Sequence, residues 1–274
     1  MDKQFMEFQN YLLEQRKSIA TINGYMQDIR QFVEYLTNHH KQINKLHNQD
    51  IEDYKNYLLY DEQLKVKTVN RKLVSINQFL TFNNVAVTIR QEKVQMQNFL
   101  SNLLTNEDVQ KMINTTYKIN DVRARTIINT LYYTGMRVSE MLQLTIYDIN
   151  QPRINIKGKG SKFRTVFIPH KLLNTWAEYI PVRINKSDKL FTGERGAINR
   201  VTVDTILKKI ARLSNVSLDK AHAHNFRHLY CKNLIKNDID ISTVADLCGH
   251  SSINTTRLYT RLSENELMNI INEL

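Results

Sequence analysis

Apolar side chains recur at helical spacing along residues 1–90. Phe5, Phe8, Leu12 and Leu13 mark a first helix. Ile22, Tyr25, Ile29, Phe32, Val33 and Leu36 mark a second, with Ser18 in place as its N-cap. Ile51, Tyr54, Tyr57 and Leu58 give a third over about 50–60, and Val69, Leu73, Ile76, Phe79 and Leu80 a fourth starting near Thr68. Four short helices in this span predict a compact bundle. The repeat is lost over 88–104, so a helical domain is expected over 1–95, a linker over 96–104 and a second domain over 105–274.

The second domain opens with Thr105 and Asp108 at capping-box spacing. Helices are predicted at about 106–116 and 121–134, with Gly135 ending the latter as a C′ glycine, then a short helix over 137–144. Around 153–168 the period changes from helical to alternating: Ile154 and Ile156 lead into Gly158-Lys159-Gly160-Ser161 and then FRTVFIP. This predicts a β-hairpin with Lys159 in its turn. Helices resume at about 170–180, 199–213, 224–237, 241–248, 252–260 and 264–273. The fold class is therefore mainly α with a small antiparallel β-hairpin or sheet, in two domains. Only 7 glycines and 3 prolines in 274 residues agree with a helix-rich chain.

Charge narrows the class of partner. The net charge is +11, and it is uneven: residues 1–100 hold 13 Lys and Arg against 11 Asp and Glu, residues 101–274 hold 25 against 16. A basic second domain favours a polyanion, because Lys and Arg release the counterions of phosphates. An inert basic surface is the plain alternative. Cys231 and Cys248 lack the spacing of a disulfide framework or a zinc site and read as small core residues. No apolar run is long enough to span a membrane and the N-terminus lacks a signal-peptide core, so a cytoplasmic protein is expected.

Five places carry candidate chemistry. In TGMRVSE, Arg137 begins a helix after a glycine break and Glu140 sits one turn on, placed to orient it; a surface ion pair is the alternative. Lys159 stands between glycines, as catalytic or merely solubilising lysines do. In HNFRH, His224 and Arg227 share a helix face, while Phe226, Leu229, Tyr230 and Leu234 suit the core. A metal site at His222, His224 and His228 is disfavoured by the interposed arginine, and no metal or cofactor is expected. His250 follows the helix break at Gly249, in a stretch that also suits a helix-turn-helix. Tyr259 lies between Arg257 and Arg261, where positive charge favours a phenolate.

The series Arg137, Lys159, His224, Arg227, His250 and Tyr259 resembles the tyrosine recombinase (phage integrase) family, near its small Xer-like members. The matching text is LTNEDV, TGMRVSE, GKGSKFR, HNFRH and LCGHSSINTTRLYTR. The likeness is close over about 105–262 and looser over 5–85, where SIATINGYMQDIRQFVEYL and TVNRKLVSINQFLTF look like a core-binding (SAM-like) domain. Ala223 and the run Leu229-Tyr230-Cys231 depart from the usual pattern, outside the catalytic positions.

The resemblance implies a site-specific DNA recombinase or integrase of a mobile element. Tyr259 would attack the scissile phosphate to give a 3′-phosphotyrosyl link and strand exchange through a Holliday junction. It implies double-stranded DNA sites as partner, a homotetramer on DNA, and accessory DNA-bending proteins as further candidates. DNA contacts are expected from Lys65, Lys67, Thr68, Asn70, Arg71 and Lys72 at the start of the fourth helix, and from Lys162, Arg164 and Arg257. The stripe Leu267, Ile270, Ile271 and Leu274 resembles a helix that docks on a neighbouring protomer; packing on its own domain is the alternative. A type IB topoisomerase and a non-catalytic DNA-binding regulator are the rival functions.

Overall fold

The structure, a computed structural model, describes residues 2–93, 102–158, 163–249, 256–257, 268 and 271–273. It divides into two compact units, Met1–Met96 and Gln97–Leu274, which are taken in turn.

The first unit holds α1 (Asp2–Glu14), α2 (Ile19–Asn38), α3 (Asn48–Asn56), which widens into one π turn over Tyr57–Asp61, and α4 (Val66–Phe82). Ser18 caps α2 as expected, its Oγ accepting from Thr21 N at 3.2 Å. Phe8, Leu12, Ile22, Ile29 and Phe79 form one apolar cluster, in which Phe8 meets the Phe79 ring edge-on at 5.2 Å. Phe32, Tyr54, Leu73 and Ile76 belong to a second.

Between α2 and α4 lies a buried carboxylate, Asp28. Arg71 donates to it through both Nη atoms (2.5 and 2.8 Å), Ser75 Oγ at 2.8 Å and Lys72 Nζ at 3.2 Å. Burial alone would raise its pKa. The Arg71 and Ser75 hydrogen bonds and the Lys72 charge outweigh that, and hold it below the usual carboxylate range. Two expectations change here. Lys72 is buried, with its ammonium on Asp28 and Gln31, so it faces the protein interior rather than a DNA phosphate. Asn70 spans the main chain of Glu92, donating to its carbonyl at 2.8 Å and accepting from its N–H at 3.0 Å, and so straps the segment after α4. Lys65 and Lys67 stay exposed, Thr68 is half-buried, and Arg71 is exposed along one side while paired to Asp28.

The second unit begins with α5 (Asn106–Lys118), whose capping box forms as expected: Asp108 N donates to Thr105 Oγ1 (3.1 Å) and Thr105 N to Asp108 Oδ2 (3.2 Å). Next come α6 (Val122–Thr134) and the one-turn α7 (Val138–Met141), shorter than its expected span. The hairpin is β1 (Arg153–Lys157) and β2 (Phe163–Phe167), antiparallel from Arg153↔Phe167 to Lys157↔Phe163. Then follow α8 (His170–Tyr179), a two-residue ladder β3 (Thr192–Gly193) and β4 (Gly196–Ala197) without a sequence signal, α9 (Arg200–Leu213), α10 (Ala223–Lys236) and α11 (Ile241–Cys248). Helix α6 is the hub, packed by α5, α8, α9 and α10. Its buried Thr130 accepts from the fully buried Trp176 Nε1 at 2.9 Å, which satisfies the indole and fixes α8. Cys231 of α10 and Cys248 of α11 are buried and free, their sulfurs 2.9 Å apart. The expected helices 252–260 and 264–273 fall largely outside the described residues.

Candidate active site

Two helix ends meet at the site. Helix α6 stops at Gly135, whose φ of +56° is the left-handed conformation that glycine adopts freely. Helix α11 starts on Asp240, whose Oδ1 accepts from Ser242 N and Thr243 N, and stops at Gly249, φ +62°. The carbonyls at these C-terminal ends carry the negative end of the helix dipole and lack intrahelical donors.

Arginines supply the donors. Arg227, reaching from α10, is almost fully buried; its Nη1 donates to Gly135 O at 2.9 Å and its Nη2 to Cys248 O. It faces the cavity described below and not the apolar core, and the helix-end carbonyls satisfy its buried N–H groups. Arg137 caps α7. Its main-chain N–H donates to Glu140 Oε2 (2.9 Å), its Nη1 to Glu140 Oε1 (2.7 Å) and its Nη2 to Gly249 O (3.2 Å). Glu140 thus binds both the main chain and the guanidinium of Arg137. Burial pushes the Glu140 carboxyl up, but the hydrogen bond and charge of Arg164, with the Arg137 N–H and guanidinium, hold it below the usual range.

Arg137 and Arg227 line one cavity of about 360 Å³ together with His224. Arg200 at the start of α9, Asp204 and His222 also line it, with His222 Nδ1 3.3 Å from Asp204 Oδ1. Sequence reasoning missed Arg200 and Asp204. Both lie on an amphipathic helix where nothing in the local pattern separates them from ordinary surface charges. His224 has its pKa lowered, first by desolvation, then by the positive charges of Arg227, Arg137 and Arg200. Its imidazole is therefore neutral at neutral pH, able to accept a proton. His228, edge-on to His224 at 4.5 Å, is held down to about 4 by burial, then by His224 and Arg227.

Lys159, Lys162, His250 and Tyr259 lie outside the described residues. Arg257 is described and exposed. Arg164 departs from its expected DNA contact: its side chain is buried, donating from Nη2 to Glu140 Oε2 (2.8 Å) and from Nη1 to Leu247 O (2.5 Å). Among the described residues no group of three or more His, Cys, Asp or Glu is arranged to hold a metal ion, and no helix is long and apolar enough to cross a membrane.

The histidines give stability a pH dependence. Their folded-state pKa values lie below the unfolded value of about 6.5, so the unfolded chain takes up the protons first. Stability should then rise with pH from about 4 to about 6.5 and level off above, with His228 contributing at most about 3 kcal/mol. The depressed carboxylates add to the same trend at the low end of this window and below it. Urea midpoints measured at pH 5 and pH 7 should differ, and His228→Gln should shrink the difference; equal wild-type midpoints would contradict it.

A cavity lined by two arginines and a neutral histidine suits an anion. The N-terminal unit matches the family model described as "Phage integrase, N-terminal SAM-like domain" over residues 5–84, and the second unit matches "Phage integrase family" over 102–266. Similar proteins include a "Tyrosine recombinase" of Thermosipho africanus, 29% identical with 100% of both chains covered. A "TnP I resolvase" of Bacillus thuringiensis is 30% identical with 96% of each covered. Among solved structures, XerH recombinase bound to a palindromic difH substrate aligns over 93% of this chain and 80% of its own, with TM-score 0.77 and 22% identity. A lambda integrase dimer on a core site aligns over 94% of each, with TM-score 0.73 and 14% identity; at such identities the likeness is one of fold. The chain belongs to the phage integrase family and is a site-specific tyrosine recombinase. The topoisomerase and regulator readings are not favoured.

Proposed function

We propose that Tyr259 is the nucleophile and that Arg137 and Arg227 clamp the scissile phosphate. The observation that carries this reading is the convergence of both guanidinium groups with His224 on one cavity. A phosphodiester repels nucleophiles and has a poor leaving group, so catalysis needs positive charge on the non-bridging oxygens and a proton for the departing alkoxide. The arginines supply the charge through their remaining N–H groups, and His250 adds a hydrogen bond. As Tyr259 Oη bonds to phosphorus its proton passes to His224, which is neutral at pH 7. The bond to the 5′-oxygen breaks, and Lys159 protonates it. The 3′-phosphotyrosyl link conserves the bond energy, so religation by a 5′-hydroxyl needs no ATP.

In this reading the N-terminal unit tracks DNA phosphates with Lys65, Lys67, Thr68 and Arg71, and Lys162 and Arg257 contact DNA in the second. Four protomers join two sites and exchange strands through a Holliday junction, with the stripe around Ile271 seated on a neighbour and accessory DNA-bending proteins as optional helpers. A lambda integrase tetramer bound to such a junction is among the solved proteins of this fold. The enzyme works in the cytoplasm, as a mobile element's recombinase would.

The test uses a nicked duplex carrying a core site recovered by binding selection with the purified protein, incubated with EDTA. Wild type is expected to form a slow-migrating covalent adduct, and Tyr259→Phe to bind equally and form none. Adduct formation by the phenylalanine variant would overturn the assignment.

A further inference from the structure

The last three carbonyls at the end of α11 each receive a different arginine. Leu247 O accepts from Arg164, Cys248 O from Arg227 and Gly249 O from Arg137. Two of these arginines line the candidate active-site cavity and the third does not. Arg164 is joined instead to Glu140, the carboxylate that also holds Arg137. Strand β2 is thereby tied to α7 and to the end of α11 by one side chain.

We propose that Arg164 is a positioning residue, fixing the C-terminal end of α11 against Glu140 so that consecutive carbonyls hold Arg137 and Arg227 at the spacing needed to clamp one phosphate. The inference rests on the clamp assignment above and assigns to Arg164 a role in it in place of a DNA contact. The chemistry suits arginine and not lysine: two Nη donors in a rigid plane reach a carboxylate on one side and a carbonyl on the other. Space enforces the same arrangement. A Cβ at Gly249 would stand 2.5 Å from Arg164 Cδ, at a φ of +62°, so the aliphatic stem of Arg164 lies where any side chain at 249 would go. In sequence, the chain runs on from this anchored end directly to His250 and Tyr259.

Helix-end carbonyls are good tethers for this purpose. They bind a guanidinium without neutralising it, so Arg227, held by the Gly135 and Cys248 carbonyls, keeps its charge for the phosphate. A carboxylate in the same place would cancel that charge. Glu140 pairs in this way with Arg137 and Arg164, so Arg137 shares its charge between that carboxylate and the phosphate.

The test compares Arg164→Met and Arg164→Lys with wild type on the nicked substrate, measuring DNA affinity, its salt dependence and the single-turnover rate of adduct formation. Arg164→Met is expected to bind DNA within about twofold of wild type with an unchanged salt slope, and to form adduct about a hundredfold more slowly. Arg164→Lys, which keeps charge and bulk but reaches one partner at a time, is expected to recover part of that rate. Amide hydrogen exchange over Val244–Cys248 should quicken in the methionine variant. An unchanged rate, or weakened binding with a salt slope lowered by about one, would overturn the proposal, the latter making Arg164 a phosphate contact. If wild type forms no adduct, the clamp assignment fails first. Exchange at α11 then still decides whether Arg164 anchors that helix.

Discussion

Glu140→Ala is expected to destabilise the protein by about 3–5 kcal/mol, because it removes one partner of a buried ionic cluster. Glu140 is 1% exposed and accepts from the Arg137 N–H, the Arg137 guanidinium and the Arg164 guanidinium. Its loss strands a cation, Arg164, whose side chain is itself almost covered. It also frees Arg137 from one of its two tethers, so adduct formation should fall by about a hundredfold beyond what reduced folding explains. Glutamine keeps the shape but offers one acceptor and turns an NH₂ toward a guanidinium, so Glu140→Gln should fall between. The sign of the pH dependence follows from the depressed pKa of Glu140. Its stabilisation is present at neutral pH and is lost as pH falls through the folded-state value. Urea titrations of the three proteins at pH 7, with adduct rates measured below the transition, check this; a cost under about 1 kcal/mol for alanine would contradict a buried ionic role.

The second large effect is expected at Gly135. An alanine Cβ there would lie 2.4 Å from Tyr230 Cδ1, 2.8 Å from Cγ and 3.1 Å from Cβ, so the obstacle is the root of a ring and not a movable tip. The left-handed φ adds about 1 kcal/mol for any residue with a Cβ, and overpacking about 1–3 kcal/mol. Gly135→Ala should therefore cost about 2–4 kcal/mol. It should also slow strand cleavage, since the Gly135 carbonyl is one of the two acceptors that hold Arg227. A double-mutant cycle with Tyr230→Ala separates the terms: relief of the clash should give a coupling of at least about 1 kcal/mol, leaving the backbone cost. Additive effects would show that Tyr230 is not the obstacle.

Much of this arrangement is legible in the sequence, because it depends on local signals. Thr105 with Asp108, Gly135 after an apolar helix, and Ile154 and Ile156 alternating before a glycine turn each announce an element through backbone chemistry that needs no tertiary partner. The orientation of Arg137 by Glu140 was legible for the same reason, as both lie in one helical turn. The partners of Lys72 and Arg164 were not, because Asp28 and Leu247 are distant along the chain. A signal existed for both. Lys72 falls on the face of α4 that carries Val69, Leu73 and Ile76, and Arg164 falls on the inward side of β2 with Val166, opposite the buried Ile156. Their charge alone suggests DNA. Their positions in the apolar repeat place each on an inward face, where a buried cation needs an internal carboxylate. The meeting of Cys231 with Cys248 is another product of packing between separate helices, with no spacing rule to reveal it.

The most direct measurement is to map the covalent bond. Wild-type protein trapped on the nicked core-site duplex is digested with nuclease and trypsin, and the peptides carrying residual nucleotide are sequenced by mass spectrometry. Trypsin cuts after Arg257 and Arg261, so the account predicts the nucleotide on the peptide Leu258–Arg261, attached to Tyr259 through a 3′-phosphate, with a free 5′-hydroxyl on the released strand. Nucleotide on any other residue, or a 5′-phosphate on the released strand, would contradict it.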